Sequence, residues 1–277
     1  RDSAVELESS AFENCWLLRD VYVPDVEIMG DMGFAYCDNL RKISLPNLLR
    51  MDGKCNFEGC STLTNIDLPI LQNIPEQTFM YCYMLSDINM PKVEQIGYQA
   101  FYDTYSLGNI QFDSLKVLGD EVFVNSTASE LYAPNLETMG NKVFASYSTW
   151  NDTYAQNTNL KTIYAPILKT LSDETLAYTS GLTELDLPNL KTIGENALYE
   201  SGVNYLYAPE LETAESLPVT ENAVVVVSDK LTNCTYVPQN TTLTIQGDKG
   251  SYGEKYAESN GLEFIDVNAM GGSIRVT

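Results

Sequence analysis

Two apolar patterns take turns along the chain, and the pair recurs about every 22 residues. The first is a short apolar–polar–apolar stretch, such as Ile43-Ser44-Leu45 or Ile66-Asp67-Leu68, closed by a proline. Period two places alternate side chains on opposite faces, and proline cannot donate to a ladder, so each stretch predicts a short strand with a defined end. The second pattern begins two positions after the proline slot with an apolar residue, such as Leu48, Val93, Leu136 or Leu190. It passes a turn that often carries glycine (Gly30, Gly97, Gly119, Gly140, Gly194) and reaches a phenylalanine. The prolines stand at 24, 46, 69, 91, 134, 166, 188 and 209, with Asp113 in the one slot that lacks them. Beside them run Phe12, Phe34, Phe57, Phe79, Phe101, Phe123 and Phe144, then Leu176 and Leu198. Both markers step by 21 to 23 residues and slip together once, by 32, which defines an insertion over residues 145–159.

A unit of this length cannot bury both of its apolar sides alone. Stacked on its neighbours it can, because the strands pair into a parallel sheet and the Phe and Leu columns become one core. The sequence therefore predicts an α/β repeat solenoid with one parallel β-sheet and short helical or irregular segments on the convex side. About nine units over residues 1–215 make up the array. The columns L-x-x-I-x-L-P, I-G-x-x-A-F and C-x-x-L, carried best by residues 85–107 and 182–198, resemble the BspA-like class of leucine-rich repeat. Gly97, Ala100 and Phe101 match that pattern fully, whereas Pro75 replaces the glycine and Leu176 and Leu198 replace the phenylalanine. The resemblance implies a right-handed leucine-rich-repeat solenoid on an exported bacterial protein, extracellular or displayed at the cell surface, with adhesion to a protein as its role.

The end of the chain reads differently. Residues 216–242 hold the apolar run Ala223–Val227 but no complete repeat. A strand, a short helix around Tyr252 to Asn260 with Gly261 as its C-cap, and a last strand over 262–267 predict a strand–helix–strand cap, giving a cap region over 216–267. An open solenoid end needs such a cover. Residues 268–277 start a new apolar alternation, which fits either a tail or the start of a further domain.

Charge and composition narrow the function classes. With 38 acidic and 16 basic residues the formal net charge is −22, which disfavours nucleic acid and anionic membranes as partners. The chain has no histidine, which removes Ser-His-Asp and Cys-His catalysis and His-ligated metal sites. No apolar run reaches 18 residues, so no membrane insertion is expected. Asp67 with Asp87, or Glu184 with Asp186, can lie at the separation used by glycosidases, but an open wet sheet does nothing to raise a carboxyl pKa. The reading is non-enzymatic, without cofactor or metal. Asp20, Asp25 and Glu27 are the nearest approach to a calcium set and lack the spacing of a calcium loop.

Residues on either side of each strand's central apolar position point outward together. One outward column runs Tyr22, Ser44, Asp67, Asn89, Gln111, Tyr132, Tyr164, Asp186, Tyr207. The other runs Asp20, Lys42, Asn65, Asp87, Asn109, Glu130, Thr162, Glu184, Tyr205. The early part is small and amide-rich, and the later part gathers Tyr132, Tyr164, Tyr205 and Tyr207 around Glu184 and Asp186. Three roles suit that cluster: anchoring a protein partner, stacking on a glycan, or simply covering the sheet. The insertion adds a second candidate, with Trp150 and Tyr154 among Ser, Thr and Asn in a loop expected to leave the convex side or an edge. Cys15, Cys37, Cys60 and Cys82 recur three residues after the Phe slot, where Thr104, Ser126, Thr179 and Ser201 follow, so they are expected to be a buried column of free thiols. The sequence leads to a monomeric extracellular recognition protein that takes a protein or a glycan, with a passive spacer as a further alternative.

Overall fold

Each of those alternating stretches folds as a three-residue strand that starts one position before its first apolar residue, as in Lys42–Ser44 and Asn65–Asp67, so that this apolar residue is central and points inward. In Asn109–Gln111, Glu130–Tyr132 and Glu184–Asp186 the middle side chain is buried and its two neighbours are exposed. The computed structural model describes residues 5–147, 155–218, 220–236 and 242–269. The strands stack in parallel and in register, one repeat on the next: Lys42 faces Asn65, Ile43 faces Ile66 and Ser44 faces Asp67. About eleven such turns build a parallel β-solenoid, with one helix near its C-terminal end.

The expectation of a single sheet needs enlarging. A second parallel ladder of mostly two-residue strands runs beside the first, from Val5–Leu7 to Asn233–Cys234. After a first segment of three strands, eight strands from Asn73–Ile74 to Asn233–Cys234 join in one sheet, among them Gln95–Ile96, Val117–Leu118 and Thr138–Met139. Each pairs an outward residue with a buried one, such as Ile96, Leu118 or Met139. Two residues are too few to show a period of two, so the sequence presents them only as the lead into the glycine turn. The first ladder, called here the front, is itself divided into segments: four strands from Asp20–Tyr22, three from Asn109–Gln111, and five from Glu184–Asp186.

The third side of each coil carries the phenylalanine, and it is neither helix nor β-sheet. Backbone N–H groups of alternate residues donate to the next coil: Gln77 to Tyr98, Phe79 to Ala100, Tyr81 to Tyr102. The residues two before and two after each column phenylalanine from Phe12 to Phe123 sit at positive φ. In one column these include Met32, Cys55, Gln77, Gln99 and Glu121, and in the other Asn14, Tyr36, Tyr81, Asp103 and Asn125. Left-handed backbone costs a residue with a Cβ about 1–2 kcal/mol. Here it lets every coil offer its amides to the next, which satisfies groups that would otherwise be buried unpaired. Gly59 holds one of these slots at φ 70°, and there the ring of Tyr36 lies where a Cβ would stand.

The core is a set of columns. Phe12, Phe34, Phe57, Phe79, Phe101, Phe123 and Phe144 stack ring on ring at 5.1–5.7 Å between centroids. Below them the thiols of Cys37, Cys60 and Cys82 each donate to the carbonyl of the phenylalanine one coil earlier, Phe12, Phe34 and Phe57, at 3.1 Å. All six cysteines are free, and Cys82 is fully buried, which pushes its thiol well above the ordinary value.

Past residue 215 the ladders do not stop. Val224–Val226 pairs with Tyr205–Tyr207, and Asn233–Cys234 with Thr213–Ala214, so the region expected to lack a complete repeat continues the coil. Helix Tyr252–Asn260 has Ser251 as its N-cap, accepting from the Glu254 amide, and Gly261 as a left-handed C-cap at φ 67°. The strand Glu263–Asp266 then closes the front ladder against Thr244–Gly247.

Candidate functional site

The front face has two chemically distinct stretches, and the strand register decides what each can do. On the early coils the outward side chains bond to one another. Ser44 Oγ donates to Asp67 Oδ2 at 2.8 Å, Asn89 Nδ2 donates to Asp67 Oδ1 at 2.7 Å, and Asn65 donates to Asp87. These carboxylates are already hydrogen-bonded by their neighbours across the ladder. A shallow depression of about 290 Å³, lined by Tyr22, Lys42, Ser44, Asn65 and Asp67, lies over them.

On the later coils tyrosines replace the amides. Tyr132 is the register partner of Tyr164, and their rings stack at 5.0 Å and 7° while remaining 43% and 52% exposed. A parallel ladder sets neighbouring strands about 4.8 Å apart, which is close to the thickness of a stacked ring pair. Glu184 is in register with Tyr205, and Asp186 with Tyr207. Tyr205 and Tyr207 are half-buried. Burial first, and then the charges of Asp186 and Glu184, hold the Tyr205 hydroxyl above its ordinary pKa.

The structure thus places the six front-face candidates in two groups. Tyr132 and Tyr164 belong to the three-stranded segment, and Glu184, Asp186, Tyr205 and Tyr207 to the five-stranded one. The two groups meet where Thr162–Tyr164 lies beside Glu184–Asp186, without a hydrogen-bonded ladder between them. Trp150 and Tyr154, the candidates in the insertion, lie outside the described residues.

A second aromatic surface escaped the sequence reading. On the turn side Tyr81, Tyr83, Tyr102 and Tyr105 pack together. The Tyr83 and Tyr105 rings stack at 5.4 Å and 4°, and Tyr81 meets Tyr102 edge-on at 6.2 Å. The available signal is a tyrosine four positions after two successive phenylalanines (Tyr83, Tyr105), with Tyr81 two after Phe79 and Tyr102 one after Phe101. The sequence assigns the turn side no regular backbone, so no outward columns can be read there. Tyr102 is pushed up to about 12, first by burial and then by the Asp103 charge. Tyr36, on the same side, is raised to about 12 chiefly because its hydroxyl donates to Glu58 Oε1 at 2.8 Å.

Among the described residues no group of three or more acidic or Cys side chains is placed to hold a metal ion, and no helix is long and apolar enough to cross a membrane.

Comparison with known proteins places this geometry. A model of the BspA type leucine rich repeat region matches residues 5–130 and 148–216, in six copies. The chain belongs to that family. No curated protein sequence matches it. Among solved structures it is similar to a leucine-rich repeat protein of T. pallidum, with 19% identity over 68% of this chain and 76% of that one and a TM-score of 0.44. It is also similar to the pneumococcal vaccine antigen PcpA, with 16% identity over 94% and 84% and a TM-score of 0.42. A third is a leucine-rich cell surface protein of Faecalibacterium prausnitzii, with 15% identity over 85% and 83% and a TM-score of 0.32. The family is one of repeat scaffolds, which points to protein interaction, and no catalytic family is indicated.

Proposed function

We propose that this chain is a non-enzymatic, adhesin-like recognition protein that works outside the cell and holds a protein partner on the later half of its front face. The observation that carries the reading is the exposed Tyr132–Tyr164 pair, flanked by Asp186 and Tyr207. Exposed tyrosines supply a large contact area at little entropic cost, together with hydroxyls for hydrogen bonds, and are enriched at binding hot spots. Membership of the BspA type repeat family supports the adhesin-like role and the extracellular location.

The glycan alternative finds less support in the ring geometry. A sugar stacks on the face of an aromatic ring, and in this pair each ring already covers one face of the other. Gln111 borders Tyr132 in register and Asp186 stands on the coil after Tyr164, so the rings offer mainly edges and hydroxyls to a ligand. The test is a binding screen of the chain against extracellular-matrix and serum proteins and a glycan array, with Tyr164→Ala/Tyr207→Ala alongside. A protein hit weakened tenfold or more by the double substitution supports the reading. A glycan hit lost in the variant replaces it with sugar capture. Silence on both panels leaves the spacer as the better account.

A further inference from the structure

The turn side of the middle coils carries a surface that the front-face reading does not use. Three successive turns, residues 75–84, 97–106 and 119–128, contain five tyrosines and four acidic residues and no lysine or arginine. Of the four acidic residues Glu76 pairs with Lys54 of the preceding coil, as Lys116 pairs with Glu94, Lys169 with Glu137 and Lys191 with Glu212 elsewhere. None of the ion pairs among the described residues involves Glu58, Asp103 or Glu121, the carboxylates of the tyrosine patch. Their partners are neutral: Asn125 donates to Asp103, Gln99 to Glu121 and Tyr36 to Glu58. Uncompensated negative charge is therefore concentrated where the rings are. The same field is felt by the tyrosines, since Tyr81 and Tyr105 are raised first by burial and next by Asp103.

The rings are also open to a ligand. Tyr83, Tyr98 and Tyr105 are 41–42% exposed and Met84 is 51% exposed. Tyr83 and Tyr105 stack on each other, and the residues that continue their column on either side are Ser61 and Thr127. Those side chains are smaller than a tyrosine ring, and Tyr83 and Tyr105 each keep about two-fifths of their surface exposed. An apolar ring face beside a carboxylate that has no ion-pair partner suits a planar cation: a guanidinium can lie on the ring while its N–H groups donate to the carboxylate. Ammonium groups match this less well, being compact and strongly hydrated.

We propose that the turn side around Tyr83, Tyr105 and Asp103 is a docking surface for an arginine-rich segment of a protein partner, separate from the front face. The rings take the guanidinium planes and Asp103 and Glu121 take their N–H donors. Long-range attraction from the net charge of −22 brings the segment in, and the rings decide which cation stays.

The test uses labelled nona-arginine and nona-lysine peptides, titrated into the full chain at low and at physiological salt. At physiological salt nona-arginine is expected to bind at least fivefold tighter than nona-lysine. Tyr83→Ser/Tyr105→Ser, which leaves the charge unchanged, is expected to weaken nona-arginine about tenfold, and Tyr83→Phe/Tyr105→Phe to retain it. Thermal melts monitored by circular dichroism check that both variants fold, and the Phe pair serves if the Ser pair does not. The front-face variant Tyr164→Ala/Tyr207→Ala is expected to bind the peptide as the parent does, so failure here and failure of the front-face reading are separately visible. Equal affinity for the two peptides with no dependence on the rings, the signature of diffuse charge attraction alone, overturns the proposal. So does loss of binding in the front-face variant only, or no binding at all.

Discussion

The front face and the turn side achieve the same result by different backbone. Both bring tyrosines from adjacent coils into stacked pairs, at 5.0 Å for Tyr132–Tyr164 and 5.4 Å for Tyr83–Tyr105. The front does so with parallel β-strands, whose pleat sends alternate side chains outward. On the turn side, pairs of left-handed residues flank each phenylalanine and the coils are bonded amide to carbonyl. Stacked side-chain columns therefore require only a fixed step between coils, whatever the local backbone. The chemistry then diverges: the early front face satisfies its carboxylates from neighbouring side chains, while on the turn side Asp103 and Glu121 stand beside rings without an ion pair among the described residues.

The largest effect expected on this comparison comes from the column that underlies the turn side. Phe101 is fully buried and lies between Phe79 and Phe123, so Phe101→Ala should cost about 3–5 kcal/mol in a denaturant melt. Phe12 is only partly buried and has a single stacking partner, Phe34, so Phe12→Ala should cost clearly less. Equal losses would mean that stacking along the column contributes little.

Alkaline titration should separate the two faces next. Tyr36 and Tyr102 are raised from 10.0, and Cys55 from 9.0, each to about 12, all on the turn side. A raised pKa in an acid means that the folded state holds its proton after the unfolded chain has lost it. These groups thus contribute stability that is fully present below about pH 9 and is lost as the pH rises from there toward about 12. Hydrogen exchange between pH 7 and 10.5 should show the turn side loosening first. Uniform loosening of both faces would contradict this assignment.

A smaller effect concerns the thiol column. Ser126 occupies the slot that Cys37, Cys60 and Cys82 hold in earlier coils, but its hydroxyl is buried without a hydrogen-bond partner. Ser126→Cys should stabilise the protein by about 1 kcal/mol, because a thiol is less costly to bury than an unpaired hydroxyl. A lower melting temperature would show that the slot selects for size instead. On the front face Asp67→Ala removes the acceptor shared by Ser44 and Asn89, both at the surface. That change should cost no more than about 1 kcal/mol, read from the urea midpoint.

Much of this architecture is legible in the sequence, for a physical reason. Proline ends a strand and a buried phenylalanine needs a neighbour of its own kind, so a fixed step in both markers already implies stacked coils. The helix over Tyr252–Asn260 and its Gly261 cap were readable for a similar reason, since capping depends on local residue types. The outward columns of the front face were readable because the pleat has a period of two. The second ladder was not, since the two residues of Gln95–Ile96 or Thr138–Met139 are too few to display any period.

By itself the sequence determined the step of the solenoid, the buried columns and the order of residues on the front face, because those follow from local alternation repeated many times. Only the tertiary structure decided the form of the turn side. Many of its left-handed slots are filled by Met, Gln, Glu and Tyr, residues that carry no signal for positive φ, beside a few Asn, Asp and Gly that do, and they adopt it because the neighbouring coil rewards them with a hydrogen bond. It also decided that Asp67 is shared by its neighbours while Asp103 lies beside rings and takes the Asn125 amide, with no ion pair among the described residues. That distinction depends on which side chains meet across coils, and a one-dimensional pattern does not contain it.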